Sequence, residues 1–183
     1  MFVFLVTGPS GAGKSTLAHR MAAWGHRTLS ADADPHLSAW TDHAGHRVDR
    51  PAHPTADWLA THEWRWDADR LDGLIADAAG AGATALWIFG RADNAVTMLD
   101  RFDAVFLLDI DPATAQTRIR NPSRGNDYGR VGDRLRTATE SIAEFRNLWL
   151  ARCAIPVDAQ PPVETVGHAL LIEAATAVLR LRR

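Results

Sequence analysis

The sequence is almost without lysine. Of its 20 Lys and Arg residues, 19 are arginine, and Lys14 is the single exception. A genome that favours Arg and Ala codons accounts for the general replacement, which makes the place of the one lysine worth following. Cysteine is equally scarce. Cys153 stands alone, which excludes an internal disulfide framework and a cysteine-based zinc site. Long hydrophobic runs are missing too. The apolar stretch 2–6 is far short of the roughly 20 residues a membrane helix needs, and no basic region precedes it. Nor is there an imbalance of charge: a net charge of −2 and a pI near 6.4 supply no broad basic field for nucleic acid. These absences predict a soluble, cytoplasmic protein with neither a nucleic-acid nor a membrane partner.

What is present is globular. At 183 residues, with 46% hydrophobic and 23% charged, the chain is long enough to bury a sizeable core and short enough for a single domain, 1–183. Residues 2–7 (F-V-F-L-V-T) read as a strand buried on both faces, and 15–24 carry helical spacing with Leu17, Met21 and Trp24 on one side. Further strands are predicted at 27–30, 84–89, 104–110 and 155–157. Asp67 caps a predicted helix to Ala79, Asp111-Pro112 opens another to about Ile119, and longer helices are expected over 133–152 and 162–181. Strands alternating with helices predict a three-layer α/β fold on a parallel sheet. Between them, 32–66 is irregular and broken by Pro51 and Pro54; the pattern predicts a short helix, a loop and a second short helix around Trp58 to His62.

The one lysine falls in Gly8-Pro9-Ser10-Gly11-Ala12-Gly13-Lys14-Ser15, which fits G-x-x-x-x-G-K-[ST] and is followed by Thr16. The glycines let the backbone wrap an anion, so that successive N–H groups and a helix N-terminus, including those of Ser10, Ala12 and Thr16, face phosphate oxygens. Lys14 brings a compact, flexible charge to the β- and γ-phosphates, and the Ser15 hydroxyl is a ligand for Mg²⁺. The motif also has the context its mechanism needs, a strand before it and a helix after it.

With this loop at its head, the sequence resembles the nucleoside-monophosphate kinase-like branch of P-loop proteins, which includes adenylate, shikimate, gluconate and small-antibiotic kinases. The resemblance covers nearly the whole chain. It implies a five-stranded parallel sheet in the order 2-3-1-4-5, ATP and Mg²⁺ as cofactors, and a small-molecule acceptor for a monomer or homodimer. Three further places carry it. Ala31-Asp32-Ala33-Asp34 matches the D-x-D of shikimate-kinase-like enzymes, which implies Asp32 near the metal and Asp34 orienting the acceptor hydroxyl. Two roles are open to these acids, because Pro35 is also well placed for one of them to cap a following helix. Residues 118–132, with Arg118, Arg120, Arg124 and Arg130, resemble the family's lid, whose arginines neutralise the transferring phosphoryl group; Arg118 and Arg124 are the expected pair. A solvated arginine-rich loop is the competing reading. Ile155 to Pro162 resembles the segment flanking the adenine base, which puts Asp158 and Gln160 beside the nucleotide.

The departures narrow the acceptor. No aspartate ends the strand over 84–89, where Phe89-Gly90-Arg91 stands instead, and the D-G-x-P-R pattern of adenylate kinases is absent. Gly90 and Arg91 still sit at the carboxyl end of a parallel strand, where this sheet type binds ligands; Arg91 grips an anionic substrate group or pairs with Asp93. Residues 35–66 occupy the acceptor-binding position. Of the five histidines there, His36 is the best placed to touch substrate, and Trp40, Trp58, Trp64 and Trp66 either line the pocket or pack the insert. The histidine spacing makes a poor metal site. The resulting expectation is an ATP-dependent kinase acting on a small-molecule hydroxyl. The alternatives are a nucleoside or nucleoside-monophosphate kinase and an ATP-binding switch or resistance protein without a dedicated acceptor.

Overall fold

The computed structural model describes residues 1–121 and 141–182. The amino-terminal apolar run is β1 (Phe2–Thr7), followed by α1 (Lys14–Ala23) and β2 (Thr28–Ser30). The insert holds β3 (Ser38–Thr41), β4 (Arg47–Val48), α2 (Ala56–Thr61) and β5 (Glu63–Trp66). Then come α3 (Ala68–Gly80), β6 (Ala85–Phe89), β7 (Ala104–Asp109) and α4 (Pro112–Arg120). The last elements are α5 (Ile142–Leu150), β8 (Ile155–Asp158) and α6 (Val163–Leu181).

Because β1 is apolar on both faces, its alternate residues enter two cores. Phe4 and Val6 meet Leu17 and Met21 of α1 and Leu170 of α6; Val3 and Leu5 meet the side holding Leu71 of α3 and Trp149 of α5. Parallel pairing completes the layer: β6 lies along one edge of β1 and β7 along the other, with β2 outside β6 and β8 outside β7. The order β2-β6-β1-β7-β8 is the expected 2-3-1-4-5 of the five main strands. The capped helices also form as expected, with Asp67 accepting from Arg70 N–H and Asp111 from Ala113 and Thr114 N–H. Of the long helix expected over 133–152, residues 141–152 are described, and they are helical over 142–150. Among the described residues no helix is long and apolar enough to cross a membrane.

The insert differs from its expectation. No helix follows Asp34; residues 31–33 make one 3₁₀ turn, and the chain then builds a three-stranded antiparallel sheet in the order β4-β3-β5. Only the second expected helix forms, as α2, capped by Thr55. Glu63-Trp64-Arg65-Trp66 alternates with a period of two, and its backbone finds a partner in β3, over twenty residues earlier, with Trp40 opposite Trp64 and Ser38 opposite Trp66.

Candidate active site

The phosphate loop leaves β1 at Gly8 and closes at Gly13. Its conformation demands glycine: Gly11 and Gly13 have φ of 85° and 91°. A Cβ on Gly11 would stand 2.8 Å from Ala115 O, so the loop lies directly against α4. The first bond of α1 runs from Leu17 N–H to Gly13 O, so the amide groups before Leu17 are aimed out of the helix's positive end. Lys14 folds back over the loop, its Nζ donating to Gly8 O at 2.7 Å and to Pro9 O at 3.3 Å. Ser15 and Thr16 are exposed at the helix mouth. The sequence-predicted loop residues are thus assembled into one cradle.

Asp32 and Asp34 lie beyond the carboxyl end of β2, on the sheet edge next to β6. Asp32 Oδ1 accepts from Arg91 N–H at 3.0 Å and from Trp64 Nε1 at 3.5 Å. Asp34 is more tightly held. Its Oδ1 accepts from the N–H groups of His36 (2.8 Å) and Leu37 (3.2 Å), and its Oδ2 is 3.2 Å from the Arg70 guanidinium on α3. Partial burial pushes the Asp34 carboxyl up, but the His36 and Leu37 amides and the Arg70 charge outweigh it and hold it below the ordinary range. Asp34 therefore binds amides in the manner of a cap, although the helix it would cap is absent. His36 stays at the surface; Arg47 donates to its carbonyl and to that of Pro35, fixing the turn beside the acids.

The insert is fastened over the strand ends by two consecutive side chains. Asp93 accepts from Trp64 N–H through its carboxylate and donates its own N–H to Trp64 O. Buried Asn94 accepts from Trp66 N–H and donates to Trp66 O, both at 2.9 Å. The amide of Asn94 thus acts as a one-residue strand. Gly90 makes the fit possible: a Cβ there would stand 2.6 Å from Trp66 Cζ2 and 2.9 Å from Asp32 Oδ1. Arg91 lays its guanidinium over the Phe145 ring at 4.8 Å, and Asp93 is occupied by Trp64. Trp40, Trp58 and Trp64 form one aromatic group, and Trp66 is buried beneath Gly90.

On the opposite side of the loop, Arg118 lies in the last turn of α4 beside Gly13, its Nη1 3.9 Å from the place of a Gly13 Cβ. Both arms of its fork are engaged, donating to Ala159 O at 2.7 Å and Gln160 O at 2.9 Å. Asp158 Oδ1 accepts from Gln160 N–H and shapes the same turn. A cavity of about 540 Å³ opens there, with Asp109, Arg146, Asp158 and Gln160 on its walls. Arg124 and Arg130, with most of the expected lid, lie outside the described residues.

Neither a family model nor a curated protein matches the sequence. Solved structures do. TT1252 from Thermus thermophilus is similar at a TM-score of 0.59 and 17% identity, covering 96% of this chain and 97% of that one. Deoxyadenosine kinase from M. mycoides with bound dATP is similar at 0.53 and 13%, covering 95% and 100%. A gluconokinase from Sinorhizobium meliloti 1021 is similar at 0.50 and 16%, covering 99% and 95%. The fold is the one these structures share, a P-loop NTPase fold.

Within this fold, several of the residues that shape the candidate site carry no motif. Arg70, Asp93 and Asn94 act on partners 28 to 36 residues away in sequence, so spacing gave no signal of them. Gly90 carried the only visible hint, a small residue ending a buried strand. Among the described residues no group of three or more His, Cys, Asp or Glu side chains is arranged to hold a metal ion by itself.

Proposed function

We propose that this protein is an ATP-dependent phosphotransferase that moves the γ-phosphate of ATP to a hydroxyl of a small molecule. The observation that carries this is the juxtaposition of two features on one sheet: a glycine cradle with Lys14 folded over it after β1, and a fixed pair of acids at the end of β2.

In this reading the amides from Gly8 to Thr16 and the Lys14 ammonium hold the β- and γ-phosphates. Lys14 exchanges the Gly8 and Pro9 carbonyls for phosphate oxygens. Ser15 and Asp32 would hold Mg²⁺, because both offer exposed, hard oxygen donors of the kind the ion prefers. When bound, the ion neutralises charge on the phosphate oxygens. Asp34 orients the acceptor hydroxyl in line with the γ-phosphorus, and Arg70 holds Asp34 in place. The bond from the acceptor oxygen to the γ-phosphorus forms as the bond to the β–γ bridging oxygen breaks. That electron pair leaves with ADP, and the hydroxyl proton passes to the acid pair and then to solvent. Arg124 neutralises charge on the transferring group. Arg118, beside Gly13, contributes to the same end of the site and clamps the 159–160 carbonyls against which the base lies.

The test is ATP turnover in wild type and Lys14→Ala across an acceptor panel. Turnover that rises with a hydroxyl compound and falls by about a hundredfold or more in Lys14→Ala is expected. Slow hydrolysis indifferent to every acceptor would favour an ATP-binding switch, and unchanged turnover in the variant would remove the loop from the mechanism.

A further inference from the structure

Resting on the kinase reading above, we propose that the acceptor carries a flat unsaturated ring, bound on a ledge of tryptophans that begins at Asp32. In the small antiparallel sheet, Trp40 lies opposite both Trp64 and Val48, and Ser38 lies opposite Trp66. Since side chains alternate, Ser38, Trp40, Val48, Trp64 and Trp66 share one face. That face is graded. Its inner end, Ser38 and Trp66, is buried, with Trp66 against Gly90, whereas its outer end, Trp40 and Trp64, is half-buried.

The outer end is extended by α2, which brings half-buried Trp58 edge-on to Trp40, with centroids 5.0 Å apart and planes at 61°. Trp40 and Trp64 meet at 5.7 Å and 58°. His62 stacks on one face of Trp58 at 4.2 Å, so the helix side of the ledge is already filled. Tilted contacts of this kind set the edge of one ring against the face of its neighbour, and all three indoles keep part of their surface exposed to stack on a further ring. The ledge is also fixed in place, because Asp93 and Asn94 bind the backbone of Trp64 and Trp66.

Its position gives the chemistry. The Trp64 indole N–H reaches Asp32 Oδ1, so the aromatic surface starts at the acid pair and runs outward from it. A molecule lying on it presents one end to Asp32 and Asp34, so its reactive hydroxyl sits on a short arm from the ring. A polyol or sugar acid would instead need several converging polar side chains, and this face offers indoles. Two sources supply the required shape, a nucleoside and an aryl alcohol.

The experiment uses the full chain, with thymidine, 4-nitrobenzyl alcohol and gluconate as probes. ATP turnover and tryptophan fluorescence are measured for wild type, Trp40→Ala and Trp40→Phe. Turnover and saturable quenching with one of the ring probes are expected, and which probe succeeds identifies the source. For that probe Trp40→Ala should raise KM by about tenfold or more, with the affinity for ATP unchanged and Trp40→Phe recovering most of the loss. Turnover with gluconate and neither ring probe would overturn the ring proposal while leaving the kinase standing. Saturable quenching without turnover would support the ledge and count against the kinase reading. No response to either ring probe in both measurements would overturn the ledge.

Discussion

Adding one methyl group at Gly90 should damage this protein, whereas the same group at Gly73 should help it. At Gly90 the new Cβ would lie 2.6 Å from Trp66 Cζ2, 2.9 Å from Ala31 Cβ and 2.9 Å from Asp32 Oδ1. None of the three yields cheaply. Trp66 is fixed through both backbone groups by Asn94, Ala31 is fully buried, and Asp32 is held by Arg91 N–H. Overpacking of this kind costs about 1–3 kcal/mol. For a chain of this size each kcal/mol lowers Tm by about 2–4 °C, so Gly90→Ala should melt about 2–12 °C lower. At Gly73, in the middle of α3, nothing lies within 4 Å, and Ala there gains about 0.5–1 kcal/mol by restricting the unfolded chain and favouring helix. Thermal melts of both variants, with near-ultraviolet circular dichroism to follow the indoles, make the comparison. A Gly90→Ala protein that melts with or above wild type, its tryptophan signal unchanged, would refute the packing of the insert described above.

Other perturbations follow from the same contacts. Asn94→Ala strips Trp66 of a donor and an acceptor in a buried place, at about 2 kcal/mol or more, and denaturant melts should show it. Arg118→Ala frees the carbonyls of Ala159 and Gln160, so Kd for ATP should rise more than KM for any acceptor; an equal rise in both would put Arg118 elsewhere in the mechanism. Asp34 has its folded pKa held below the ordinary 3.8, so its ionised form stabilises the fold above that pH. That stability should vanish as pH falls through the folded value, and Asp34→Asn should flatten this part of the acid limb in pH-dependent melts.

The central architecture was legible because it is written locally. The β1 run, the Gly8–Ser15 spacing and the Asp67 and Asp111 caps each declare themselves within a few residues, and the strand order came with the family resemblance. The insert was not. Its strands are two to four residues long, its Ser38-Ala39-Trp40-Thr41 segment has no strong period, and its stability comes from β5, Asp93 and Asn94, all distant in sequence. Arg47 shows the same limit: as a letter it belongs to a surplus of arginine, yet it grips two backbone carbonyls that only the folded chain brings within reach. Arg118 was singled out by the lid resemblance, but the two carbonyls its fork grips are over forty residues away and left no trace in spacing.

The placement of β1 has a consequence for synthesis. Of the five strands of this sheet, the earliest to be synthesised is the middle one, yet Phe2 pairs with Ala85 and Phe4 with Ala104. Until those residues emerge, both hydrogen-bonding edges and both apolar faces of the nascent strand are unsatisfied, the condition in which chains aggregate or recruit chaperones. The phosphate cradle inherits the delay, since Gly8 seats against Leu108 and Gly11 against Ala115. Any ligand of the glycine loop would therefore act on this chain's folding only late, as a clamp on a sheet already closed by β7 and α4.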